Sequence, residues 1–379
     1  MKKVVLAFDS FKGSLSAAAA CRIAADALHQ VRPELEIVRC PMADGGEGTA
    51  EALQVALGGG WMRETVTGPL PGMRVEARWL WCPEKKLALV EMAEAAGLTL
   101  LRPEQRNPLH ATTYGVGELL RSAVKHGADK ILLAVGGSAT CDGGLGAAAA
   151  LGFRFKRADG SGLDVLAPQR EGETLMEQVA AVVSSERLAL PAVEVLCDVT
   201  NPLYGSQGAA FFYAPQKGAS AAEVEQLDRA LRHFAGIVEP VLNPGAAQQP
   251  GTGAAGGLAF GALVFMQAHL RSGIDAVMEA VGLRKALQGA AWVVTGEGRL
   301  DAQSVQGKVI SGVQRLAAES GCRTAVLAGS ADLDADALKK AGLDVLETLM
   351  RSGLSVEECI RRAPDLLEQR IVEFARRCL

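Results

Sequence analysis

The chain reads as an α/β protein in which a discontinuous parallel-sheet domain, drawn from both ends of the sequence, carries an inserted second α/β domain. Three observations predict this. Apolar runs of strand length alternate with amphipathic helical stretches at both ends. The stretch 61–100 alternates and carries turns instead, the pattern of antiparallel hairpins. Three apolar runs pass directly into glycine-rich loops that carry acids. These are Ile131–Val135 into Gly136-Gly-Ser-Ala-Thr-Cys-Asp-Gly-Gly144, Ala291–Val294 into Thr295-Gly-Glu-Gly-Arg-Leu-Asp301, and Glu36–Cys40 into Ala43-Asp-Gly-Gly-Glu-Gly48.

Taken in order, residues 4–8 are a buried strand, and Asp9-Ser-Phe-Lys-Gly-Ser14 is a turn with an N-cap at Ser14. Residues 15–31 are helical, with Cys21, Ala24, Ala25, Leu28 and Val31 on one face. A strand at 36–40 and a helix near 48–57 complete a β-α-β-α start, which implies parallel pairing. Beyond the hairpins come a helix (113–126), the strand 131–135, a helix (144–151) and a hairpin over 153–164 turning at Asp159-Gly160. Val193–Asp198 is a strand ending in an acid, 221–239 a helix, 243–257 a Pro/Gly-rich loop, and 257–270 a helix. The β-α-β rhythm returns with strands 291–294 and 324–328 around a helix near 304–319. The stretch 343–348 is compatible with a further strand, and 355–378 is an amphipathic helix or pair broken at Pro364. The expected domains are 1–64 plus 286–379, and 65–285.

Composition narrows the function. A net charge of −4 gives no basic footprint for nucleic acid or an anionic membrane. Aromatics at 4% argue against base-stacking platforms. Lys2-Lys3 precede too short an apolar run for a signal peptide, and no uncharged apolar stretch is long enough to span a bilayer. The eight cysteines are scattered singly, away from zinc-ligand spacing, as expected of reduced core residues in a cytoplasmic protein.

The loops carry the chemistry. Glycine admits positive φ and close approach of a ligand, and a following helix aims free N–H groups at whatever sits there. Carboxylates beside such a nest suggest a bound cation, so the loops ask for phosphate with Mg²⁺ nearby. Each feature also has a plainer reading. Gly136–Gly144 is either a tight βα turn or an anion seat, and Asp142 is either a helix N-terminal charge or a metal-facing group. Arg299 either pairs locally or grips an anionic substrate, with Glu297 or Asp301 serving metal or proton transfer. Lys217 and Lys308 are either solvated or on phosphate, and Asp198 is either a turn former or a site residue. Asp9, Ser10, Lys12 and Ser14 end the first strand, at the sheet edge where α/β proteins bind ligands. Gly251-Thr-Gly-Ala-Ala-Gly256 fits a dinucleotide pattern but lacks a preceding strand, and no Walker A, protein-kinase or G-x-S-x-G motif occurs.

At these residues the sequence resembles the type I glycerate kinase family. Ten segments carry the likeness in family order over roughly residues 1–330. They are Asp9–Leu15, Ala43–Thr49, Val66–Leu70, Glu91–Ala95, Ala111–Gly115, Gly136–Thr140 with Asp142-Gly143, Cys197-Asp198 with Asn201–Leu203, Pro215–Gly218, Gly253–Gly257 and Thr295–Arg299 with Asp301. Cys141 stands where the family usually has Asn, and the stretch from Ala331 onward matches least.

The resemblance implies ATP- and Mg²⁺-dependent phosphorylation of D-glycerate, with 2-phosphoglycerate favoured over 3-phosphoglycerate. It also implies that the discontinuous domain is Rossmann-like and the inserted one flavodoxin-like, with the active site in the cleft between them. On that footing Arg299 and Lys12 hold the substrate carboxylate, with Asp9, Ser10 and Glu297 beside the substrate. Asp198 and Asp301 hold Mg²⁺ or orient the attacking hydroxyl, and Asp44 is a further metal candidate. Gly136, Gly137, Ser138, Thr140, Asp142, Gly143 and Gly144, with Lys217 or Lys308, cradle the ATP phosphates. The expected assembly is a monomer or homodimer. Two other classes stay open: a nicotinamide-dependent hydroxy-acid dehydrogenase, which requires a strand before Gly251, and a non-catalytic nucleotide-binding regulator.

Overall fold

The computed structural model describes residues 2–379 apart from 171, 184–186, 301–308, 333–341 and 351–353. Its strands in chain order are β1 (Lys3–Phe8), β2 (Glu36–Arg39), β3 (Gly60–Thr67), β4 (Arg74–Cys82), β5 (Leu87–Glu91), β6 (Lys130–Ala134), β7 (Arg154–Lys156), β8 (Ala181–Val183), β9 (Ala192–Leu196), β10 (His269–Arg271), β11 (Ala290–Gly296), β12 (Arg299–Leu300), β13 (Arg323–Ala328), β14 (Ser330–Ala331) and β15 (Val345–Thr348). The chain divides into two compact units. One comprises Met1–Asp44, Glu51–Gly58 and Ile274–Leu379, the other Gly45–Ala50 and Gly59–Gly273. β3 pairs with β4 along its whole length, which places Gly60–Thr67 in the second unit.

The first unit holds a parallel sheet in the order β15-β13-β11-β1-β2. Numbered within the unit this is the doubly wound order 2-1-3-4-5, whose switch point lies between β1 and β11. Val4 to Phe8 are fully buried, because a central parallel strand is covered on both faces. Helices Ala17–Val31 and Ala363–Cys378 pack together on the sheet, burying Cys21, Ala24, Leu28, Leu367, Ile371 and Phe374 with Trp292. The first helix is capped by Ser16, whose hydroxyl accepts the N–H of Ala19 at 3.2 Å, rather than by Ser14. Pro364 sits in the first turn of the last helix, where its missing N–H leaves nothing unpaired.

The second unit holds a sheet in the order β10-β9-β6-β5-β4-β3. β5, β6, β9 and β10 are parallel, while β3, β4 and β5 are joined as antiparallel neighbours. Its core gathers Trp79, Leu133, Val195, Phe234 and Phe260 with helices Tyr114–Lys125, Ala221–Leu242 and Ala254–Phe265. The turn at Asp159-Gly160 forms, with Gly160 N–H on Arg157 O at 2.9 Å. The ladder of β7, however, is made with β8, and the expected hairpin partner contributes one isolated bridge, Lys156 with Gly162.

Candidate functional site

In the first unit the sequence-predicted residues converge on the switch point. Asp9 follows β1 and its N–H donates to Gly296 O at 2.9 Å, so the ends of β1 and β11 are held side by side. Gly296 must lack a Cβ because one would collide with Leu327 O on β13. A Cβ on Gly298 would stand 3.3 Å from Lys12 N, so the two loops touch. Asp9 Oδ1 accepts the N–H of Ser10 at 2.6 Å. Burial, then the nearby Asp44 and Glu297 carboxylates, push the Asp9 acid up to about 7. Ser14 Oγ is buried with no hydrogen-bond partner, the helix cap having gone to Ser16.

Arg299 lies on β12, which pairs in parallel with β14. Its Nε and an Nη both donate to Asp332 Oδ2, at 2.9 and 2.6 Å. The pair is open to solvent, with the Arg299 side chain 69% exposed. The structure therefore shows the local pair, on a guanidinium that still faces water. Asp301 and Lys308 lie outside the described residues.

In the second unit the loop after β6 is built on close backbone contacts. Gly137, Gly143 and Gly144 have positive φ. A Cβ on Gly136 would collide with Gly46, so the loop Gly136–Gly144 lies directly on the loop that precedes helix Thr49–Leu57. On another side sits the segment Gly253–Gly257. Ala255, Gly256 and Gly257 are consecutively left-handed, and a Cβ on Gly256 would strike Thr140 O. Gly256 O accepts the N–H of Gly143 at 3.0 Å. The dinucleotide-like glycines thus serve as a floor for this loop. No strand precedes them, Asn243–Pro250 being turn and 3-10 helix.

Two of the anticipated anion seats hold carboxylates of the protein itself. Asp142 accepts four hydrogen bonds, from Thr113 N and Oγ1 at 2.8 Å each, Gly144 N at 3.0 Å and Gly146 N at 3.2 Å. It is therefore the charge at the start of helix Leu145–Ala150, and burial raises its pKa. Glu91, at the end of β5, accepts Ala50 N and Gly48 N at the start of helix Thr49–Leu57. Burial pushes its acid up to about 7. Lys217 is buried, its ammonium donating to Ser138 Oγ and Thr140 O.

Asp198 lies two residues past β9 and lines a cavity of about 270 Å³ with Cys197, Thr200, Gly251, Arg271 and Ser272. Its Oδ1 accepts from Ser272 Oγ at 2.8 Å and Gly273 N at 3.0 Å. Among the described residues no group of three or more His, Cys, Asp or Glu side chains could hold a metal ion. Mg²⁺ characteristically takes one or two carboxylates and completes its shell with water and substrate phosphates. The hard oxygens of Asp198, and of Asp44 beside a repelled Asp9, suit it. Sequence reasoning gave no role to Glu91, Thr113, Ser272 or Asp332. Glu91 carried the one available signal, an acid closing an apolar strand.

Each unit is an α/β fold built on parallel strands with acids at or just past strand ends, and the relatives the chain matches are phosphotransferases. The model of the Glycerate kinase family matches residues 4–379, including the stretch after Ala331. A glycerate kinase of Halalkalibacterium halodurans is 40% identical, covering 97% of this chain and 96% of its own. The glycerate 2-kinase of Escherichia coli is 38% identical, covering 96% and 94%. The crystal structure of a protein from Salmonella typhimurium LT2, proposed to be glycerate kinase 2, superposes with a TM-score of 0.84 at 36% identity, covering 99% of this chain and 97% of that one. The chain belongs to the glycerate kinase family. Among its described residues no helix is long and apolar enough to cross a membrane.

Proposed function

We propose that this protein transfers the γ-phosphoryl group of ATP to a hydroxyl of D-glycerate, with 2-phosphoglycerate as the product. The observation that carries this is the end-to-end likeness to glycerate kinases, one of them a glycerate 2-kinase. Placement of the candidate residues supports it. Lys12 and the solvent-facing guanidinium of Arg299 hold the glycerate carboxylate, Asp332 being exchanged for it. Asp9 and Ser10 stand beside the substrate hydroxyls, and a carboxyl poised near 7 is matched to accepting the proton of the attacking one. The Gly136–Ser138 end of the loop is the part that faces the ATP phosphates, since the N–H groups of Ala139, Gly143 and Gly144 are committed to Ala96 O, Gly256 O and Asp142 Oδ1. Asp198 in the second unit, and Asp44 and Asp301 in the first, are the candidate residues for holding Mg²⁺. Bound there, the ion would neutralise charge on the phosphates.

The test is a coupled assay with purified protein, ATP, Mg²⁺ and D-glycerate. Enolase alone should consume the product without a lag. A requirement for phosphoglycerate mutase would reassign the product to 3-phosphoglycerate, and no ADP formation would end the reading.

A further inference from the structure

Lys217 is 2% exposed, an unusual place for an ammonium. It closes the short turn Pro215–Lys217, and Gly218 follows at φ +101, where a Cβ would press on Arg106 O at 2.8 Å. Its Nζ donates to Ser138 Oγ at 2.7 Å and to Thr140 O at 2.8 Å, and among the described residues it makes no ion pair. Two titratable groups face it. The Cys141 thiol is neutral because burial pushes it up to about 12, and the Asp142 oxygens are already taken by Thr113, Gly144 and Gly146. Burial without a counter-ion pushes Lys217 itself down to about 8.

A buried charge held by two acceptors and no counter-ion is costly. The cost is lowered if an anion arrives on the outer side of the loop that the lysine grips. That loop is pinned elsewhere by Leu98 N–H on Gly137 O at 2.8 Å and Ala139 N–H on Ala96 O at 2.9 Å. Thr140 Oγ1 is fully buried with no hydrogen-bond partner, so the loop is not satisfied by its own contacts.

We propose that Lys217 is a positioning residue for ATP: without touching the nucleotide, its ammonium fixes Ser138 and Thr140 and supplies the positive charge behind the phosphate loop. This rests on the assignment of Gly136–Gly144 to the ATP phosphates. Lys217→Met keeps the unbranched apolar stem to Cε and removes the ammonium. The KM for ATP rises by about tenfold or more, the scale of a lost charged hydrogen bond, while the KM for D-glycerate holds. In the wild type the KM for ATP climbs as pH rises through about 8, and in Lys217→Met it is flat. Ser138→Ala, which removes one acceptor and leaves the charge, raises the KM for ATP less and keeps the pH dependence. Melting curves of both variants report folding.

An unchanged KM for ATP in Lys217→Met overturns the proposal. So does a joint rise of both KM values with a lowered melting temperature, which makes the lysine merely structural. A collapse of kcat with both KM values intact also overturns it, since the lysine would then act in the chemistry. If the wild type does not phosphorylate glycerate, the functional reading fails separately. Calorimetric titration of ATP into wild type and Lys217→Met then decides the role of Lys217 alone.

Discussion

The carboxylate of Glu91 accepts the backbone N–H of Ala50 at 2.6 Å and that of Gly48 at 3.3 Å, so it fills the anion seat at the start of helix Thr49–Leu57. A loop that looks from its glycines like a phosphate nest is satisfied from within. The arrangement should be visible in stability. Burial raises the Glu91 acid from its ordinary 4.5 to about 7. A group raised in this way contributes stability that is fully present below about 4.5 and is lost as pH rises through about 7. The loss is on the order of 3 kcal/mol. The wild-type melting temperature should therefore fall between about pH 5 and 8, and Glu91→Gln should remove that part of the slope. An identical slope in the variant would show that Glu91 does not titrate in this range.

Asp9 carries the same sign of pH dependence, and on the proposed mechanism it sets function against stability. Its acid is raised to about 7 by burial, then by Asp44 and Glu297. Asp9→Asn should lower kcat by about 100- to 10,000-fold, the usual worth of a proton acceptor. The variant should also lose the acid limb of the kcat/KM profile near pH 7. Above that pH it should melt higher than the wild type, because a repelled buried carboxylate has gone. Thermal scans at pH 8 and a pH–rate series check both halves, and a variant with near-normal kcat would remove Asp9 from the chemistry.

How much of this was legible follows from the range of each interaction. β1, β6 and β11 and the glycines that follow them were readable because strand period and positive-φ residues are local signals. The convergence of Asp9 and Glu297 at one switch point needed the strand order 2-1-3-4-5, which pairs β1 with a strand from the far end of the chain. Ser14 and Ser16 both precede the same apolar run, so sequence alone could not choose the cap. The occupants of the nests were out of reach for the same reason as the partner of Lys217. Glu91 meets Ala50 and Lys217 meets Ser138 only through tertiary packing, and no periodicity records such pairs.

Arg299 donates from both Nε and Nη2 to Asp332 Oδ2. If glycerate displaces Asp332, the planar fork matters more than the charge. Arg299→Lys should then raise the KM for D-glycerate by roughly tenfold to a hundredfold, since hydrogen bonds to charged groups are worth about 1.5–3 kcal/mol. The KM for ATP should not follow. Initial-rate kinetics with each substrate varied separately checks this, and an unchanged glycerate KM would disprove the clamp.

The floor of the loop Gly136–Gly144 gives a prediction whose sign depends only on backbone geometry. Gly256 is the middle of three left-handed residues, and a Cβ there would strike Thr140 O in the loop gripped by Lys217. Gly256→Ala adds left-handed strain of about 1–2 kcal/mol to a collision with backbone that cannot rotate away. Gly236 offers the opposite case on helix Ala221–Leu242, exposed and with nothing within 4 Å of a Cβ. Gly236→Ala should stabilise by about 0.5–1 kcal/mol, because alanine loses less backbone freedom on folding. The same substitution should therefore lower the melting temperature at 256 and raise it at 236. The loop variant alone should also raise the KM for ATP, because Thr140 cannot keep its place when the residue beneath it gains a methyl group.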